Sequence, residues 1–398
     1  MVPLLAQPAL DRLHTAMASR VDRGELPGIV TLIARHDAVH VDSIGVKAFG
    51  STEPMARDTP FRIASLTKPI LAAATMLLVQ DGKLRLDDAV DRWLPELANR
   101  RVLRRVDGPL DDTVPARRSI TVDDLLTNRM GFGMLVEPTF DPPFPIVEAG
   151  RGLQLVLSEP DPRTPHAPNE WIARFGTLPL MYQPGERWLY NAGSLVLSVL
   201  VARVADQPLD EVFRRRIFEP LGMHQTGFWR PAELTRQLPS YYMTNFATGQ
   251  LERQTLSSPE EWSRPPVFPS GAAGLLSTID DFLAFARMLL DKGQPLLSEA
   301  SVELMTTNHL TPEQIATAGL ILGGRGWGFG MGVVTQPDVE WPVRGRYGWE
   351  GGYGATWFND PHRRLIAIAM SQTSDFLWNG TRDEFSRLVA AATAETTG

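Results

Sequence analysis

In the run Ser65-Leu66-Thr67-Lys68 a hydroxyl and an amine stand three residues apart, at the head of the apolar stretch PILAAATMLLV. On a helix, residues i and i+3 share a face, so the Lys68 amine is expected beside the Ser65 hydroxyl. A serine at the start of a helix also holds its oxygen near the positive end of the helix dipole. Serine is a weak nucleophile until a base takes its proton, and a partly buried lysine with a lowered pKa is such a base. The chain has four lysines, Lys47, Lys68, Lys83 and Lys292, among 39 basic residues, so a motif that demands lysine seldom arises by accident. The chemistry suggested is attack by an activated serine. An exposed lysine on an ordinary helix is the bland alternative, and the tetrapeptide alone does not separate the two.

The elements that must position this pair are strand-like at both ends of the chain and helical between. An amphipathic helix from about Pro8 puts Leu10, Leu13, Met17 and Val21 on one face, and residues 28–34 and 38–46 read as a hairpin turning at His36-Asp37. A helix is expected over 65–80, stopping at Asp81-Gly82. From there to about residue 225 short helices and proline-punctuated loops follow, among them the long apolar helix GSLVLSVLVARVA, with no convincing strand. Residues 226–270 read as irregular. TIDDFLAFARMLLDKG is then a helix with Thr278 as its N-cap and Gly293 beyond its end. WGFGMGVV, RYGWEGG, YGATWFND and RRLIAIAMSQ read as strands, and a helix over roughly 381–393 closes the chain. The expected class is α/β: one discontinuous domain of residues 1–82 and 265–398, interrupted by a mainly helical domain of residues 83–264.

Composition removes several function classes. The 398 residues carry 46 acidic against 39 basic side chains, a net charge of −7, which gives no electrostatic reason to bind nucleic acid or an anionic membrane. There is no cysteine, so disulfides, thiolate metal sites and cysteine nucleophiles are excluded. No stretch approaches the roughly 20 apolar residues of a spanning helix, and the first residues lack a basic leader region, so a cytoplasmic protein is expected. The seven histidines include no H-E-x-x-H, and Gly323-Gly324-Arg325-Gly326 lacks the context of a phosphate loop, so neither metal nor other cofactor is expected. The basic run Arg100, Arg101, Arg104 and Arg105 reads as a solvated face paired with Asp107, Asp111 and Asp112. G-x-S-x-G is absent, which withdraws the main support for an α/β-hydrolase.

Two further segments give Ser65 and Lys68 a context. PGERWLYNAGSLVLSVLVARV places Tyr190 at a loop-to-helix junction, and RYGWEGGYGATWFNDP places Trp349-Glu350-Gly351-Gly352 on an apparent edge strand before a hairpin. With ITVDDLLTNRMGFG (120–133), IFEPLGMHQTGF (217–228) and SGAAGLLSTIDDFLAFARMLL (270–290), the chain resembles the penicillin-recognising serine hydrolases of the class C β-lactamase type. Within them it is most similar to family VIII carboxylesterases and related bacterial proteins, in order from about residue 10 to 395. The resemblance implies a β-lactamase/DD-peptidase-like fold, an antiparallel sheet flanked by helices plus a mainly helical domain. It implies Ser65 as nucleophile, Lys68 as its proton acceptor, and Tyr190 as a shared base and proton donor to the leaving group. It also implies an oxyanion hole made by the N–H groups of Ser65 and Gly352, with Trp349, Gly351 and Tyr353 at the substrate. A tyrosine beside a lysine cation is expected to have a lowered pKa.

The sequence departs from that pattern in three places. Tyr190-Asn191-Ala192 lacks the asparagine of Tyr-x-Asn, and Asn191, one place early, is not assigned its role. Asn128-Arg129-Met130-Gly131 stands where a histidine is common. Trp349 stands where the lactamases have lysine, removing a cation that would hold a substrate carboxylate, unless Arg344 or Arg346 restores one. The leading expectation is therefore a serine hydrolase of small to medium carboxylic esters, its partner a small ester or acyl substrate. The alternatives are a β-lactamase or D-Ala-D-Ala peptidase-type amide hydrolase, disfavoured by Trp349, and an acyltransferase or non-catalytic acyl-binding protein. Aromatic residues Trp327 and Trp357 on the strands, and Phe140, Phe144 and Trp262 in loops, are expected either to wall the pocket or to fill the core.

Overall fold

The hairpin expected near the N-terminus forms as β1 (Gly28–Arg35) and β2 (Ala38–Gly45), turning at His36, whose φ is 52°. The protein is described by a computed structural model over residues 5–135, 143–157, 164–255, 258–337 and 343–392. The far end of the chain completes the sheet with β3 (Gly326–Trp327), β4 (Gly332–Val333), β5 (Tyr347–Gly351), β6 (Ala355–Asp360) and β7 (Leu365–Met370). The strand order is β2-β1-β7-β6-β5-β4-β3, antiparallel throughout. Val30 opposite Met370 and Arg35 opposite Leu365 join the two ends of the chain in one ladder. This is the antiparallel sheet flanked by helices that the resemblance implies.

Strand alternation sorts the side chains onto two faces. Ile29, Ile33, Phe358, Leu365, Ala367 and Ala369 pack against α1 (Gln7–Asp22) and the closing helix Thr381–Ala392. Val30, Leu32, Trp349, Trp357, Ile368 and Met370 face the larger core, which holds the helices α2 (Thr67–Gln80), α3 (Ala192–Ala205) and α4 (Ile279–Leu290). In α2 every residue from Thr67 to Leu78 is buried. A helix that is apolar on all sides has no solvent face and belongs in the interior, which explains why its sequence lacks amphipathic periodicity.

Three sequence expectations are corrected. The helix expected from residue 65 begins at Thr67, because Ala64–Leu66 forms a separate 3₁₀ turn. Two hairpins occur where no strand was expected, Arg101–Leu103 with Thr113–Pro115 and Tyr242–Asn245 with Gln250–Arg253. Strands of three or four residues are too short to display alternation, so periodicity passes over them. The strand β5 is interior by strand order, since β4 pairs with Tyr347 and Gly348; from Trp349 to Gly351 it is paired on the β6 side alone among the described residues.

Basic runs behave as expected of solvated faces. Arg104 pairs with Asp112 at 3.1 Å and Arg105 with Asp107 at 2.7 Å. Arg100 instead turns inward and donates to the carbonyls of Gly176 and Leu178. No single helix among the described residues is long and apolar enough to cross a membrane.

Candidate active site

Ser65 is half-buried in the 3₁₀ turn between Ala64 and Leu66, both fully buried. Ala64 adopts φ 44°, a left-handed conformation that costs a non-glycine residue about 1–3 kcal/mol. The surrounding core holds this kink and turns Ser65 out of it. One helical turn on, Lys68 places Nζ 3.0 Å from Ser65 Oγ and donates to the Ala272 carbonyl at 2.8 Å. The amine is buried and sits 4.3 Å from the centroid of the Tyr190 ring. Burial drives the Lys68 pKa well below its ordinary 10.5, and no carboxylate offsets that effect. A lysine amine with a lowered pKa beside a serine hydroxyl is placed to accept its proton.

Tyr190 precedes α3, and the residue after it, Asn191, has φ 82°, a second strained link at the site. The Tyr190 hydroxyl bonds to Ser65 and accepts from Trp349 Nε1 at 2.7 Å. Burial nevertheless pushes its pKa up, outweighing the hydrogen bonds from Ser65 and Trp349. This reverses the sequence expectation of a lowered value. The expectation inferred charge from residue type, whereas burial of the hydroxyl is the largest effect on Tyr190 and Lys68 is not among the groups that lower its pKa. Tyr190 is thus a protonated phenol, suited to giving a proton rather than taking the first one.

Trp349 is buried on β5 between Tyr190 and Trp327, with ring centroids 5.7 and 4.6 Å away. Its indole N–H is directed at the tyrosine oxygen. Beneath it Arg325 lies 4.8 Å from the ring centroid and pairs with Glu350 through two bonds of 2.8 and 3.0 Å. Sequence reading passed over this support, because Arg325 and Glu350 are far apart along the chain and no spacing rule links them. Gly351 lets the strand approach the serine turn: a Cβ there would lie 2.3 Å from the Ile63 carbonyl oxygen. The Gly351 carbonyl accepts from Gly354 N–H at 2.8 Å, which fixes the 351–352 peptide and sends the Gly352 N–H the opposite way.

The structure thus brings together Ser65, Lys68, Tyr190 and Trp349, with Gly351 and Gly352 alongside. Tyr353 is buried with Ala64, the residue before Ser65, and with Leu238, Trp262 and Leu276, edge-on to Tyr241 at 4.6 Å. Trp357 packs on Phe282 and Phe285 of α4, and Phe144 packs on the main core. Phe140 lies outside the described residues. Asn191 donates to the Leu157 carbonyl at 2.7 Å, so its amide is committed to the 153–157 segment. Neither upstream arginine supplies the cation that Trp349 displaced. Arg346 is buried on the opposite face of the sheet, 4.1 Å from the Phe358 ring centroid and 3.9 Å from Asp360, and Arg344 is exposed in the turn before β5. Among the described residues no cluster of three His, Asp or Glu could hold a metal ion.

A half-exposed serine, a buried lysine and a buried tyrosine within one hydrogen-bonded group, on an antiparallel sheet backed by an apolar helix, define a recognised class. The chain belongs to the Beta-lactamase family, whose model matches residues 13–392. It is 37% identical to Protein Rv1367c of Mycobacterium tuberculosis over 380 residues, 91% of this chain and 90% of that one. It is 27% identical over 385 residues to Esterase EstB of Burkholderia gladioli, covering 91% and 90%. Among solved structures it superposes on EstCE1, described as a hydrolase with promiscuous acyltransferase activity, with a TM-score of 0.79, 26% identity and coverage of 97% and 98%.

Proposed function

We propose that the protein is a serine hydrolase that cleaves small to medium carboxylic esters through an acyl-enzyme on Ser65. The observation that carries this reading is the buried Lys68 amine 3.0 Å from Ser65 Oγ, with no carboxylate to keep it charged. Lys68 takes the Ser65 proton as Oγ bonds to the ester carbonyl carbon. The oxyanion is met by the N–H groups of Ser65 and Gly352. As the C–O bond to the alcohol breaks, Tyr190 protonates the leaving oxygen and recovers its proton from the Lys68 ammonium. Water then adds to the acyl carbon, giving its proton to the same pair, and the acid leaves as Ser65 regains its hydrogen. Neutral esters fit a site in which Trp349 occupies the place of a carboxylate-binding cation; β-lactams and D-Ala peptides, which carry that carboxylate, fit it less well. The similarity to EstCE1 supports a second outcome at deacylation, transfer of the acyl group to an alcohol in place of water.

Incubation with p-nitrophenyl butyrate tests the reading. Steady release of nitrophenol is expected, with a butyryl group found by mass spectrometry on the Ser65 peptide after acid quenching, and with added alcohol diverting part of the product to a new ester. Turnover that persists after complete fluorophosphonate labelling of Ser65 would overturn it. A second test addresses the tyrosine. Tyr190→Phe is expected to lower kcat by at least about 10²-fold, the ordinary effect of losing general acid–base catalysis. Trp349→Phe, which removes the 2.7 Å donor to the tyrosine oxygen, should cost about tenfold. In the double variant the tryptophan effect should vanish, since its N–H acts through the hydroxyl already removed. Additive losses would mean that Trp349 acts elsewhere.

A further inference from the structure

The Lys68 amine is held by two oxygens, Ser65 Oγ and the Ala272 carbonyl, and the second belongs to a segment with its own fasteners. At one end of that segment, Ile63 N–H donates to the Leu275 carbonyl at 3.0 Å and Leu275 N–H to Thr67 Oγ1 at 3.3 Å. At the other end the Ser270 carbonyl closes a turn, accepting from Ala273 N–H at 3.2 Å and Gly274 N–H at 2.8 Å, and a side chain of another element ties that turn down. Gly271 N–H donates to Ser198 Oγ at 2.9 Å, while Ser198 Oγ–H donates to the Ser194 carbonyl at 2.7 Å. Ser198 is 3% exposed in the middle of α3, the helix that begins two residues after Tyr190. Serine in a helix interior is inferior to alanine in propensity, and its back-bond to the preceding turn offers nothing an alanine helix needs. Here that back-bond fixes the hydroxyl rotor so that a lone pair meets an N–H from outside the helix.

The packing at this junction is close. A Cβ on Gly271 would sit 2.7 Å from Ser198 Oγ and 2.9 Å from both terminal carbons of Leu71, the residue one turn beyond Lys68. So α2, α3 and the 270–272 segment converge at one point, directly next to the carbonyl that binds the amine. A neutral amine has two N–H bonds and one lone pair. Once one N–H is given to Ala272, rotation about Cε–Nζ sets whether the lone pair or the other N–H meets Ser65.

We propose that Ser198 is a positioning residue for Lys68: by holding Gly271 it places the Ala272 carbonyl, and that carbonyl orients the amine toward the Ser65 proton. The role rests on Lys68 being the base of the proposed reaction. Without the Ser198 hydroxyl, the Gly271 N–H is buried with no acceptor, and the 270–271 peptide must turn to find one; the Ser270 carbonyl of that peptide accepts from Ala273 N–H at 3.2 Å, and Ala273 N–H shares its peptide with the Ala272 carbonyl, which shifts with it.

The rarity of lysine makes the test direct. Protein labelled with 13C and 15N in lysine has four side-chain signals, and that of Lys68 is assigned by its loss in Lys68→Met. A carbonyl acceptor favours ammonium over amine, so Ser198→Ala should move the Lys68 titration midpoint to lower pH, by about half a unit to one unit. On p-nitrophenyl butyrate the acid limb of kcat/KM should move the same way, with the plateau about 10–100-fold lower, the scale of a misoriented catalytic group. Ser198→Thr keeps the oxygen, so both quantities should return toward wild type. Ser198→Cys, near in shape and weaker as an acceptor, should fall between and covers the case in which the alanine variant does not fold. An unshifted Lys68 midpoint in the alanine or cysteine variant would overturn the proposal whatever the activity does, and so would a threonine variant no better than alanine. If wild type hydrolyses no ester, the functional reading fails, while the Lys68 midpoint still decides the role of Ser198.

Discussion

Ser65→Ala is expected to reduce ester turnover by at least about 10⁴-fold, to near background, while the melting temperature changes little. The effect is large because in the proposed reaction the hydroxyl is the atom that bonds to substrate, and no neighbour can replace it. Tyr190 is held protonated by burial and pinned by Trp349, and the other hydroxyls of the junction, Thr67 and Ser198, are committed to backbone partners. The fold should tolerate the change because Ser65 makes its contacts within the site, whereas the kink that presents it is fixed by fully buried Ala64 and Leu66. Side-by-side hydrolysis of p-nitrophenyl butyrate and thermal melts check both halves. Retained turnover in a well-folded variant would reject Ser65 as nucleophile. A large fall in Tm would mean that the hydroxyl is structural as well.

The sequence made the site more legible than its surroundings. Ser65 and Lys68 were visible because i, i+3 spacing survives any packing detail, and the structure places the two atoms 3.0 Å apart although Ser65 lies in a 3₁₀ turn rather than the helix. The strands were visible where both faces are buried, as in LIAIAM of β7, and the pairing of β1 with β7 across the length of the chain follows from strands at both ends needing one sheet. What stayed hidden depends on pairs distant in sequence. Arg325 beneath Trp349 and Ser198 beside Gly271 have no local signature, and both bear on how the site is held. Tyr353, two residues from Gly351, lies past the hairpin turn in a small cluster with Ala64, the residue before Ser65. The tyrosine pKa was misjudged because charge was inferred from residue type, whereas burial acts on both groups, lowering the Lys68 pKa and raising that of Tyr190.

Lys68→Met should abolish activity nearly as completely as Ser65→Ala and at the same time raise stability at neutral pH. Burial holds Lys68 well below 10.5 in the folded protein, whereas unfolding returns it to the ordinary range. Between those two values the unfolded chain binds one proton more than the folded one, so wild-type stability rises with pH across that window. Below the folded midpoint the penalty is constant and at its largest; above the unfolded midpoint it is gone. Methionine has no proton to bind, so the Tm difference between Lys68→Met and wild type should be greatest at low pH and shrink toward about pH 10–11. Lys68→Arg separates charge from basicity: arginine stays protonated, cannot accept the serine proton, and should be as inactive as methionine while stabilising nothing. Wild-type kcat/KM should rise with pH through the folded Lys68 midpoint and then level, because only the neutral amine is productive. An active Lys68→Arg variant would show that Lys68 is not the base, and a Tm difference that does not narrow as pH rises would show that burial does not lower its pKa. The expected result has a general cause. A base that works on a serine must be kept short of water, and that same burial is a standing cost to the fold that selection for activity has retained.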